Sequence, residues 1–171
     1  MTALKPGDPA PEFNLRTPFD VEVSLRPLLE EGPVVLEFIR GSWDPEARKR
    51  LDELDALEDR LKEYRARSIV VSCERQSTAG SYLEAVSIRL ALLVDSERQV
   101  SRAYGVYQRF SFGAFRLARP ATFLVDRCGF IRYAHVGRSP IDVAPVQAIL
   151  RSLDELRDEA ARVAAPEPPT D

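Results

Sequence analysis

The side chains in this sequence that could act as nucleophile, acid or electrophilic clamp are few and scattered. Cys73 and Cys128 are the two thiols and His135 is the lone imidazole. Cys73 ends the β-branched run Ser68-Ile69-Val70-Val71-Ser72, so it falls at a strand end. Both a reactive or regulatory thiol and a packing residue are open there. Cys128 sits in Arg127-Cys128-Gly129 and reads as a neutral turn residue. A single histidine lacks the companions of a metal site, and two cysteines without regular spacing make neither a metal site nor a disulfide framework. Among the charged residues, Glu37 interrupts an apolar run and Arg119 precedes Pro120. Asp44 stands before Pro45 and Glu46, a sequence suited to capping a helix: acceptor at the cap, proline at the first helical position, acid in the first turn.

These residues need elements to position them. Val34-Val35-Leu36-Glu37-Phe38-Ile39 is nearly unbroken in its apolar character and predicts a strand buried on both faces. It leads through Arg40-Gly41-Ser42-Trp43-Asp44-Pro45 into a helix from about 46 to 67, whose stripe is Ala47, Leu51, Leu54, Leu57, Leu61 and Tyr64. Residues 68–73 form a second strand, parallel to the first through that helix. Helices are expected over 79–88 and 97–104, with a short strand at 90–95 between them. The aromatic stretch 104–119 reads as a loop. Pro120 to Asp126, a turn at 127–129 and Phe130 to His135 predict a β-hairpin. A last helix opens near Pro145, capped by Asp142 or Ala144, with Val146, Ile149, Leu150, Leu153 and Leu156 inward. Ahead of all this, the proline-rich start 5–15 forms an extended arm with Phe13 and Leu15 pinned to the core, and Val21 to Leu25 an edge strand. Pro27 to Glu31 is a helical turn.

The length of 171 residues fits one domain, expected over 1–163 with a disordered Pro-rich tail at 164–171. At 44% apolar residues it can bury a core without disulfides or metal. The formal net charge of −3, with acids and bases interspersed, argues against a nucleic-acid partner. No stretch approaches a membrane span or a signal peptide, so a cytoplasmic location is the expectation.

The element order and its punctuation resemble the thioredoxin-fold redoxins, and within them the peroxiredoxin-like alkyl hydroperoxide reductase/thiol-specific antioxidant (AhpC/TSA) family. The resemblance rests on Gly7-Asp8-Pro9-Ala10-Pro11-Glu12-Phe13, the Arg-Gly-Ser-Trp-x-Pro junction, Leu93-Val94-Asp95, Ala103-Tyr104-Gly105-Val106, and Arg119 to Asp126 with the hairpin to His135. It spans roughly residues 5 to 155. It implies an α/β thioredoxin-like fold, a central mixed β-sheet flanked by helices, with an N-terminal extension.

In that family the junction carries Trp-Cys-Pro-x-Cys or close to it, and here Asp44 and Ala47 stand in the two cysteine places. A helix N-terminus lowers the pKa of a cysteine, and only the thiolate attacks peroxides or disulfides. Asp44 either simply caps the helix or supplies a permanent anion that mimics a thiolate. The resemblance makes Pro120 a cis-proline facing the turn, and Arg119 the arginine that polarises peroxide. An internal Asp44–Arg119 ion pair is the physical expectation. Trp43 packs over the turn or presents a face to a partner. Glu37 is a relic of a buried acid or a partner for an arginine. A Cys73–Cys128 bond is not expected, because a strand of ~17–20 Å separates the two ends of the sheet.

The degenerate site is therefore Trp43, Asp44, Pro45, Ala47, Arg119 and Pro120. The main functional expectation is a non-catalytic binding or regulatory paralogue of antioxidant ancestry. The alternative is a thiol oxidoreductase or peroxidase acting through Cys73; a non-redox enzyme using Asp44 and Arg119 is a weaker third. No cofactor is called for. The family resemblance also makes a homodimer or protein partner through the aromatic segment 104–115 a fair expectation.

Overall fold

The computed structural model describes residues 2–111 and 114–164, with side chains described outside 111–116. The arm opens on a turn instead of running extended, with Asp8 N–H donating to the Lys5 carbonyl and Gly7 at φ +94°, and Asn14–Arg16 (β1) pair as a strand with Glu22–Ser24 (β2). Phe13 is buried and Leu15 packs against the core. Leu25, expected at the end of the edge strand, instead opens the helix Leu25–Glu31 (α1).

The centre follows the predicted order. Val34–Ile39 (β3) is buried at every position, Pro45–Lys62 (α2) crosses over, and Arg67–Ser72 (β4) returns parallel to β3. Next come Gln76–Ala85 (α3), Ala91–Val94 (β5, parallel to β4) and Gln99–Ala103 (α4). Residues 104–119 are not a plain loop. Tyr107–Ser111 (β6) and Ala114–Ala118 (β7) pair antiparallel as a two-stranded sheet of their own. Ala121–Val125 (β8) and Ile131–Val136 (β9) make the expected hairpin, and β8 joins β3 antiparallel. Val146–Ala164 (α5) closes the described chain.

The main sheet has seven strands in the order β2-β1-β5-β4-β3-β8-β9. It is mixed, parallel at its centre and antiparallel towards both edges, with helices on its two faces. Strand alternation divides the core. Val34, Leu36 and Phe38 face one layer, where Phe38, Tyr104 and Phe123 meet with ring centroids 5.2 to 5.9 Å apart. Val35 and Ile39 face the other, against Leu51 and Leu54 of α2 and Ile149 and Leu153 of α5. Glu37 lies between Val35 and Ile39 in the strand and so points into this second layer. In register beside it are Thr122 on β8 and, one strand further, His135 on β9. A polar row thus crosses the α2 face of the sheet.

The expected tail 164–171 lies outside the described residues except for Ala164, the last residue of α5. Asp142, expected at the cap of α5, has its carboxylate turned back to the Arg138 N–H and His135, and Ala144 is buried in the core.

Candidate functional site

At the carboxyl end of β3 the chain turns through Gly41 and enters α2. Gly41 has φ +151°, and a β-carbon there would lie 2.2 Å from the indole nitrogen of Trp43. The turn therefore needs glycine for backbone and space alike. Trp43 folds back over it, 44% exposed, with the Arg40 guanidinium 5.4 Å from its ring centroid. This satisfies the expectation of a ring packed over the turn, and leaves part of the ring in solvent.

Asp44 is the N-cap of α2. One carboxylate oxygen accepts from the Glu46 backbone N–H at 3.0 Å and Pro45 occupies the first turn. The other oxygen accepts from Arg40 Nη1 at 2.8 Å, with both side chains more than nine-tenths buried. The expected Asp44–Arg119 pair is not formed. Arg40, four residues before Asp44, reaches the carboxylate instead, while Arg119 Nε donates to the Gly137 carbonyl at 3.0 Å. Pro120 is not cis: every peptide bond among the described residues is trans. Its carbonyl accepts from Gly137 N–H at 2.8 Å, so both residues of the Arg119-Pro120 step hold the segment after β9, while Pro120 still lines the space beside Asp44 and Ala47.

The remaining polar groups of the turn are also paired. Glu74, buried just past β4, accepts from Ser42 N–H at 3.0 Å, Ser42 Oγ at 2.8 Å and Ser72 Oγ at 3.0 Å. Arg48 Nε donates to the Ser42 carbonyl. One turn deeper along α2, Arg50 binds Glu37 in a fork, Nε to Oε1 at 2.8 Å and Nη2 to Oε2 at 3.2 Å, and Thr122 Oγ1 donates to Glu37 at 2.6 Å. Burial pulls the Arg50 pKa down, but the charge and hydrogen bond of Glu37 outweigh it and the guanidinium titrates above its ordinary range. Glu37 thus has the arginine partner that was one of its two expected readings.

The space left at the site is small. Between Phe38, Arg40, Asp44, Ala47, Arg50 and Pro120, roofed by Pro140 and Val143, about 10 Å³ remains. A second remnant of the same size lies between Arg40, Arg119 and the segment 137–140. Either is room for about one water molecule.

Cys73 directly follows β4, at the same sheet edge as the turn, as expected. It is 5% exposed among core residues that include Phe38 and Val71. Its sulfur lies 3.1 Å from Ser101 Oγ, and Ser101 Oγ donates its proton to Asp95 at 2.7 Å. With that proton committed, the thiol is the donor in the sulfur contact. Burial pushes the Cys73 thiol up to about 11, with the nearby Asp95 charge adding to the rise. This is the opposite of what activates a nucleophilic cysteine. Cys128 is exposed in the β8–β9 turn, beside Gly32 and Pro33 at the entry to β3 and so at the far edge of the sheet. The two thiols are free. His135, half-buried on β9, is hydrogen-bonded through Nε2 to Asp142 at 2.8 Å. No metal-ligand cluster is present among the described residues.

The AhpC/TSA family model matches residues 6–134. The chain belongs to the AhpC/TSA family. Among known relatives, a Helicobacter pylori protein named as a peroxiredoxin, bcp, is 27% identical over 133 residues, covering 77% of this chain and 87% of that protein. A Mycobacterium tuberculosis protein also named as a peroxiredoxin is 27% identical over 123 residues, covering 72% and 79%. Of solved structures, the peroxidoxin BcpB of Mycobacterium tuberculosis superposes with TM-score 0.77 at 23% identity over 91% of this chain and 97% of that one. The thiol peroxidase of Chromobacterium violaceum gives 0.80 at 19% identity, over 92% and 90%. At such identities these structures speak for the thioredoxin-like peroxiredoxin fold alone. This AhpC/TSA domain therefore keeps the frame of a redox family around a turn that carries a carboxylate and a methyl group.

Sequence reasoning named Asp44 and Glu37 and missed their partners. Arg40 carried a signal, the four-residue spacing to an acid at a helix start. Arg50 carried another, since it falls within the inward stripe of α2 between Ala47 and Leu54. Glu74 gave none for its bonds to Ser42, which is remote in sequence, and Asp142 gave none for its bonds to His135 and the Arg138 N–H.

Proposed function

We propose that this chain is a non-catalytic AhpC/TSA paralogue of antioxidant ancestry, serving as a binding or regulatory protein. One observation carries the reading. At the helix N-terminus, where a peroxidase of this frame would hold a thiolate, Asp44 forms a buried ion pair with Arg40 in a site with about 10 Å³ of remaining space. A carboxylate so held cannot transfer oxygen or exchange disulfides, and Ala47 has no group that could resolve an intermediate. The alternative, peroxidase or thiol oxidoreductase chemistry through Cys73, is disfavoured by the burial and raised pKa of that thiol. The proposal includes a single domain over 1–163, a cytoplasmic location, and self-association or partner binding through residues 104–115. The exposed Phe110 on β6 supports the last of these.

The test is consumption of hydrogen peroxide and an organic hydroperoxide with a dithiol reductant, by the parent and by the Asp44→Cys/Ala47→Cys variant. No saturable turnover by the parent is expected. Turnover appearing in the double variant would show that sulfur alone was missing. Saturable turnover by the parent that disappears in Cys73→Ser would overturn the proposal in favour of the alternative.

A further inference from the structure

The segment from Gly137 to Pro145 has no regular structure, yet its backbone and side chains are tied at several points. Gly137 N–H donates to the Pro120 carbonyl, and its own carbonyl accepts from Arg119 Nε. Asp142 N–H donates to the Ser139 carbonyl at 3.1 Å. A β-carbon on Gly137 would lie 2.1 Å from the Asp142 carbonyl oxygen and 3.1 Å from that of Pro120, so only glycine lets the segment close this tightly on itself and on the β8 strand start. The two ends of the closed segment meet through one carboxylate. Asp142 Oδ1 is 2.8 Å from His135 Nε2, and Asp142 Oδ2 accepts from Arg138 N–H at 2.8 Å. Along this segment, Pro140 and Val143 roof the space over Asp44 and Ala47, and Arg138, Ser139 and Pro140 roof the space beside Arg40 and Arg119.

We propose that residues 137–145 are a latched cover over the redox turn, and that the Asp142 carboxylate, held by His135 and the Arg138 N–H, is the latch. The latch is local and polar: His135 and Asp142 are part-buried, whereas Arg40, Asp44, Ala47 and Arg50 beneath the cover are buried. Local openings draw on segments held by exposed hydrogen bonds, and the core anchor of this one, Ala144, lies beyond the latch at its C-terminal end. The helix cap, the Arg40–Asp44 pair and the Glu37–Arg50 pair belong to other elements and remain when the latch breaks. Releasing it therefore uncovers the first turn of α2 without unfolding the sheet. This holds whether or not the site performs chemistry.

The test places a thiol under the cover. In a Cys128→Ser background, Ala47→Cys introduces a cysteine at a position now 7% exposed, and native Cys73 serves as the internal control for global opening. Iodoacetamide labelling is followed at each site by peptide mass spectrometry. With the latch intact, both sites label slowly. Adding Asp142→Ala is expected to raise labelling at position 47 at least tenfold while Cys73 is unchanged. His135→Phe, which keeps a ring and removes the nitrogen, is expected to act in the same direction, and it decides the matter should Asp142→Ala fail to fold. Unchanged labelling at position 47 in a folded latch variant overturns the proposal. So does a parallel rise at both sites, which would mean that the domain, and not the cover, had loosened.

Discussion

The Arg40 guanidinium and the Asp44 carboxylate meet at 2.8 Å, both buried, one at the end of β3 and the other at the cap of α2. This single contact joins strand to helix at the turn proposed above as the functional site. Removing one partner of a buried pair costs about 3–5 kcal/mol, and loss of a cap about 1 kcal/mol. Asp44→Ala is therefore expected to lower stability by several kcal/mol, roughly 2–4 °C in Tm for each kcal/mol in a chain of this size. Asp44→Asn keeps a capping oxygen and loses the charge, so it should fall between parent and Ala. Urea unfolding of the three proteins checks this. A loss under about 1 kcal/mol for Asp44→Ala would mean the pair behaves like a surface contact.

Glu37 and Arg50 make a second buried pair, 1% and 2% exposed in their side chains. Its net contribution is a separate matter from the cost of breaking it, because desolvation offsets much of the attraction. Arg50→Met alone leaves the Glu37 charge in the core with Thr122, and should cost about 3–5 kcal/mol. Glu37→Leu together with Arg50→Met removes both charges and should recover most of that loss. If the double variant is no more stable than Arg50→Met, the pair is contributing more than pairwise compensation, and the argument from desolvation fails here.

How far the sequence foretold this depends on the range of the interaction. The apolar run of β3, the stripe of α2 and the β8–β9 hairpin are local patterns, and each led to the right element. The segment 104–119 was misread because its alternation is weak: Gln108 and Arg109 separate the aromatics, and pairing partner Ala114–Ala118 supplies the order that β6 lacks. Arg119 was expected at Asp44 because both flank the site in the family frame. Short range decided otherwise, since Arg40 is one helical spacing away and Arg119 is claimed by Gly137. That Asp44 and Ala47 open the helix after β3 was legible at once. The closing of the space beside them was not, because it depends on Pro140 and Val143, which are remote from the turn in sequence.

Glu74 is expected to fix the shape of the turn. It accepts three hydrogen bonds, two of them from Ser42. Glu74→Ala leaves those buried donors without an acceptor, at a cost of about 1–3 kcal/mol for an orphaned group, and frees the turn that carries the only tryptophan. Trp43 emission should shift to the red and become more readily quenched by iodide, while far-UV circular dichroism is retained. An unchanged emission maximum and quenching constant in the folded variant would show that Gly41 and the Asp44 cap hold the turn without Glu74.

Cys73 gives a prediction in pH whose sign follows from its burial. The folded thiol titrates at about 11, above the ordinary value of 9.0. Between the two, an unfolded chain has lost the proton and the folded one keeps it. The contribution is thus fully present below about pH 9 and is lost as pH rises towards 11, with a slope of at most about 1.4 kcal/mol per pH unit for one proton. Cys73→Ala removes this component, so the stability difference between parent and variant should narrow from pH 9 to pH 11 and stay flat below pH 8. Below pH 8 the thiol should also resist iodoacetamide while Cys128 labels readily. A parent-minus-variant difference that does not fall between pH 9 and pH 11, with rapid alkylation at Cys73 below pH 8, would place a thiolate in the folded protein and restore the case for chemistry at that sulfur.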